Sequence, residues 1–154
     1  MTIATDEKVL IFRAGVCGCA LPLDHIIETM RPLPLEPLAG LLPCVKGVCV
    51  IRGMATPVLD LGLLLSGREV SPSGRFITIK VARRQAALSV ASVIGIAKLT
   101  ASGLHDLPPL LKNSSADVLD SIGALDAQLF LVLAAGRLIP EEVWSVLSGD
   151  GMSP

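Results

Sequence analysis

VKGVCVIRGMATPVLDL, residues 45–61, reads as two short apolar strands folded about a turn, with a cation, Arg52, where the chain reverses. Val and Ile fit a pleated, half-buried surface, and Gly53 gives the backbone the freedom a tight reversal needs. The segment sets the question for the rest of the chain: why a protein with few charges keeps an arginine at the apex of its most apolar hairpin.

Outward from this hairpin the chain breaks every eight to twelve residues or so at Gly, Pro or Ser, with Val, Ile and Leu between, the pattern of an all-β barrel or sandwich. Strands are expected at 8–13, 18–23, 46–52, 55–60, 75–82, 85–91, 93–99, 120–125 and 128–134. Helices are few. DLGLLLSG (60–67) suits a short one capped by Asp60, and IPEEVWSVLSG (139–149) another, with Pro140 in its first turn and Val143 and Leu147 on one apolar face. RPLPLEPLAGLLP (31–43) is an extended connector, because each proline removes a backbone donor. SGREVSPSGR (66–75) is the expected seam between two halves, 103–117 a loop with room for one helical turn, and 149–154 a disordered tail.

The chain has 154 residues and a formal net charge of -1, so it carries no basic field for nucleic acid. Its longest strongly apolar run, residues 86–97, is too short to span a bilayer, and the first ten residues do not read as a signal peptide. The expectation is a cytoplasmic protein without membrane insertion. Hydrophobic residues are 51% of the chain and its 14 glycines bring the apolar share to about 60%, above the roughly 45–50% of an average domain, an excess that suits a surface that meets other proteins or a large core rich in Leu and Ala. Cys17, Cys19, Cys44 and Cys49 sit among apolar residues and read as buried thiols, since C-x-C and C-x4-C spacing near His25 is a poor zinc set.

No catalytic constellation emerges. His25 reads as a helix-start residue, and His105 with Asp106 as local turn chemistry in a Pro-rich loop. Asp24 and Glu28 are spaced to share a helix face, without a third metal ligand. GVCGCA lacks dinucleotide-binding spacing and GRLIPEE lacks a phosphate-loop lysine. The sequence therefore points to a binding module, with no enzyme activity, cofactor or metal expected.

The segments VLIFRAGVCGCALPLDHIIETMR (9–31), LPCVKGVCVIRGMATPVLDLGLLL (42–65) and SIGALDAQLFLVLAAGRLI (121–139) together resemble the CheW-like domain family of bacterial chemosensory adaptors. The middle segment is the most specific, with its Arg-Gly turn and Pro-Val-x-Asp-Leu run. Ala91 stands where many members carry aspartate.

The resemblance implies two SH3-like five-stranded β-barrels over a shared apolar seam, within a domain at residues 8–148. It implies a noncatalytic coupler between the regulatory domain of a CheA-type histidine kinase and the cytoplasmic tip of a chemoreceptor. Other readings are an adaptor of a chemosensory pathway governing pili or second messengers, and a small-molecule-binding barrel. The implied partner-binding residues are Arg52, Glu28, Ile26, Leu23, Lys46, Gly47, Val93 and Ile94. Gly53, Pro57 and Asp60 serve the turn or the helix cap. Arg52 is either part of the receptor-facing surface or a brace for its own hairpin through Glu28 or a connector carbonyl.

Overall fold

The computed structural model describes residues 7–15, 17–37, 44–66, 74–99, 104–105, 119–125 and 128–133, with side chains described within residues 8–98. The expected tail and C-terminal helix lie outside these residues.

The aliphatic runs form strands β1 (Glu7–Ala14), β2 (Cys17–Pro22), β3 (Ile26–Met30), β4 (Val45–Ile51), β5 (Met54–Asp60), β6 (Arg75–Val81), β7 (Arg84–Val90), β8 (Ser92–Leu99), β9 (Leu104–His105), β10 (Leu119–Leu125) and β11 (Gln128–Leu133). One short helix, α1 (Leu61–Ser66), follows β5, and the buried Asp60 caps it by accepting the Leu63 N–H at Oδ1, 3.0 Å. The strands make a six-stranded sheet, β8-β1-β2-β11-β10-β9, and a five-stranded sheet, β3-β6-β7-β5-β4. Pairing is antiparallel except β2 with β11 and β5 with β7.

Two expectations need correction. Residues 23–30 are not helical: a 3-10 turn at Leu23–His25 leads into β3, so Asp24 and Glu28 share no helix face. Pairing of β3 with β6 outweighs the local i, i+4 spacing. In the loop expected at 103–117, Leu104–His105 is a short strand against β10. β5, before the polar stretch 66–75, and β7, after it, pair within one sheet. The division falls where β2 passes to β3 and β7 to β8, and the N-terminal β1 and β2 join the C-terminal strands.

The sheets share a core in which Leu10, Phe12 and Leu21 from one meet Leu59, Ile77, Ile79 and Leu88 from the other. Each fully buried side chain of this size contributes about 1.5–3 kcal/mol of transfer free energy. The opposite face of the five-stranded sheet is buried too. There Cys49, Ile51, Val58, Phe76 and Ala87 pack with Met30, Leu33 and Leu35 of β3 and the connector. Burial on both faces explains why β7 shows no polar alternation.

The connector does more than span a gap. Glu36, between Pro34 and Pro37, retains the N–H they lack and donates it to the Val48 carbonyl at 2.8 Å, while Val48 N–H donates back at 2.9 Å. The chain leaving β3 thus covers the edge of β4, drawing together the two ends of the sheet.

Candidate functional site

Ile51 and Met54 close the β4–β5 hairpin, leaving Arg52 and Gly53 as a two-residue turn. Both central residues have positive φ, 53° at Arg52 and 77° at Gly53, as a type I′ turn requires. Glycine takes this conformation freely, whereas a residue with a Cβ gives up on the order of 1 kcal/mol of backbone energy. A side chain kept there against that cost marks a position worth a functional test.

The arginine reaches across the sheet. Its Nε–H donates to Glu28 Oε2 at 2.8 Å, with 64% of the Arg52 side chain and 33% of the Glu28 side chain exposed. The hydrogen bond from Arg52 holds the Glu28 carboxyl below its ordinary pKa; partial desolvation opposes this and the guanidinium charge adds to it. The same bond, and then the carboxylate charge, hold Arg52 more firmly protonated. Glu28 is anchored from below: its N–H donates to Thr78 Oγ1 and its carbonyl accepts from that hydroxyl, both at 3.1 Å. The contact falls at the register shift between β3 and β6.

The exposed large hydrophobic residues among those described are Ile27, Val50, Met54, Ile94 and Ile96. Ile27 adjoins Glu28, and Val50 and Met54 lie two positions either side of Arg52. Ile94 and Ile96 lie on β8, an edge strand with a register shift against β1.

The remaining sequence-derived positions divide by burial. Leu23, Ile26 and Val93 are half-buried and pack against the intersheet core, while Lys46 and Ile94 are exposed. Gly47 is buried, and a Cβ there would come within 2.7 Å of the Glu36 carbonyl oxygen, so its absence lets the connector approach β4. Pro57 is buried in β5 opposite Val48. Ala91 is half-buried and donates its N–H to the Arg13 carbonyl at 2.9 Å, linking the β7–β8 junction to β1. Ile27, Val50, Met54 and Ile96 were missed by sequence reasoning. Strand alternation, applied to 26–30 instead of helical spacing, exposes Ile27.

Cys19, Cys44 and Cys49 are buried and joined in no disulfide. Burial pushes the Cys44 thiol up, the Asp60 charge adds to this and a backbone hydrogen bond offsets part of it; burial alone raises Cys49. Among the described residues, no three His, Cys, Asp or Glu side chains come together as a metal site, and no helix is long and apolar enough to cross a membrane.

Two sheets, with an ion-paired turn at the end of one hairpin, make up a β-fold of the CheW-like class. The model of the CheW-like domain matches residues 8–143, and the chain belongs to that family. It is 27% identical over 113 residues to Protein FrzA of Myxococcus xanthus, covering 72% of this chain and 69% of that protein. To the chemotaxis protein CheW of Klebsiella aerogenes it is 21% identical over 149 residues, covering 96% of this chain and 90% of the relative. The crystal structure of the scaffolding protein TtCheW from Thermoanaerobacter tengcongensis has the same fold, with a TM-score of 0.77 at 18% identity, covering 86% of this chain and 92% of that one.

Proposed function

We propose that the protein is a noncatalytic cytoplasmic adaptor that couples the cytoplasmic tip of a chemoreceptor to the regulatory domain of a CheA-type histidine kinase. Arg52 carries this reading: the chain keeps a long, mostly exposed cation at a turn position that favours glycine, and ion-pairs it so that its remaining donors stay oriented. The exposed Val50 and Met54 flank it in sequence and the exposed Ile27 adjoins Glu28, supplying apolar surface. In this reading Arg52 and Glu28 meet the receptor, Lys46 and Ile94 extend the contact surfaces, and Leu23, Ile26, Gly47 and Val93 shape them from partly or fully buried positions.

Co-purification with a CheA regulatory domain and with a receptor cytoplasmic fragment tests the proposal. Both should be retained; retention of neither overturns it. Interfaces of this transient kind bury about 1,000–1,600 Å2, and micromolar affinity is compatible with the role.

A further inference from the structure

Beneath the Arg52 turn lies a short chain of buried polar groups. Gln85, on β7 and 7% exposed, donates from Nε2 to the Ile51 carbonyl at 3.1 Å and to Thr56 Oγ1 at 2.9 Å. Thr56, fully buried on β5, donates its hydroxyl to the Met54 carbonyl at 2.9 Å. Ile51 and Met54 are the pair that closes the hairpin, so the carbonyls on both sides of Arg52–Gly53 are tied to one amide. Two donors of that amide and both capacities of the hydroxyl are engaged. On the other side of the ion pair, the buried Thr78 of β6 clamps the Glu28 backbone. β6 and β7 form one hairpin at the centre of the sheet, with Thr78 opposite Ala87 and Lys80 opposite Gln85.

The surroundings make these polar choices conspicuous. The residues after Gln85 on β7 are apolar apart from Ser89, and an aliphatic side chain at 85 would suit the same face without needing a partner. A buried amide specifies geometry through the partners it demands, and here those partners are the two ends of the turn. A two-residue turn with positive φ at a non-glycine position has slack to relax unless its flanking carbonyls are held.

We propose that Gln85, Thr56 and Thr78 form a buried positioning layer that fixes the Arg52–Glu28 pair, and thereby sets how tightly the protein holds the partner that reads Arg52. The second half rests on the adaptor reading; the first does not.

The test uses isotope-labelled full-length protein and variants Gln85→Met, Thr56→Val and Thr78→Val, which keep volume and remove hydrogen bonds, with Thr56→Ser as the conservative rescue. NMR follows the Arg52 Nε–H exchange rate and the Glu28 carboxyl titration. In the folded Val and Met variants, exchange should accelerate about threefold or more and the Glu28 midpoint should rise toward its ordinary value, while Thr56→Ser stays with the wild type. Folded variants that keep the wild-type exchange rate and midpoint would overturn the proposal, as would loss of folding in all three, which would mark the layer as purely architectural.

The partner arm measures binding of a receptor cytoplasmic fragment. Gln85→Met should weaken it about threefold to tenfold in the presence of Arg52 and not further in an Arg52→Ala background. An equal loss in both backgrounds would overturn the link to Arg52. Wild-type protein that binds no receptor fragment would sink the adaptor reading and leave the NMR result standing.

Discussion

Arg52 Nε and Glu28 Oε2, 24 positions apart in sequence, meet at 2.8 Å and tie the turn of the β4–β5 hairpin to β3, which lies at the opposite end of the sheet order. Exposed pairs of this kind add little to stability, because water screens them and two long side chains must be held still. The role proposed for the pair therefore lies in the surface it presents.

Replacing Arg52 separates presentation from stability. Arg52→Ala should leave the circular dichroism spectrum intact while weakening receptor binding more than kinase binding. Arg52→Asn creates the Asn-Gly dipeptide preferred by this turn, so its thermal midpoint should equal or exceed that of the wild type while receptor binding falls. A marked loss of stability in the Asn variant would favour the bracing role.

The pH dependence of the pair has a definite sign. Because the folded Glu28 carboxyl lies below its ordinary value of 4.5, its contribution is complete above that value and disappears as pH falls through the folded one. Denaturant unfolding of wild type and Glu28→Gln should show a small wild-type advantage at neutral pH that closes on the acid side. A gap that widened with acid would contradict the assignment.

Close backbone approach makes some small residues irreplaceable. A Cβ at Gly74 would overlap the Ala91 carbonyl, and at Gly47 it would press on the Glu36 carbonyl. Gly74→Ala and Gly47→Ala should each cost about 1–3 kcal/mol in equilibrium unfolding. At Ala82, with φ of 57° in the β6–β7 turn, the opposite holds: Ala82→Gly should gain about 1 kcal/mol by relieving the left-handed backbone.

The raised thiol pKa values predict inert cysteines. Cys44 and Cys49 should resist alkylation near neutral pH in the folded protein and react on unfolding, as peptide mass mapping would show. Stability that depends on these thiols remaining protonated is present below their ordinary pKa and lost as pH rises through the higher folded values.

Much of this was legible from residue order. β-branched runs between Gly and Pro located most strands to within a residue or two, and the first residue of the expected strand 55–60 differs from β5 only by one. Residues 23–30 misled because a carboxylate pair at i, i+4 mimics a helix face, while the determinant of β3 is its pairing with β6, some fifty residues away. Ile27 was overlooked for the same reason. Gln85, Thr56 and Thr78 carried no local signal, because a lone polar residue in an apolar run does not announce its partner.

Residue order alone was enough for the β class, the reversal at Arg52–Gly53, the cap at Asp60 and the family, since each depends on neighbours along the chain or on a contiguous motif. The assembled sheets were needed to show that β1 and β2 join the C-terminal strands, that Glu28 is the partner of Arg52, and that a buried amide bonds the carbonyl that precedes the turn. These are contacts between residues distant in the chain. Their energies depend on register and burial, which exist only once the sheets have formed.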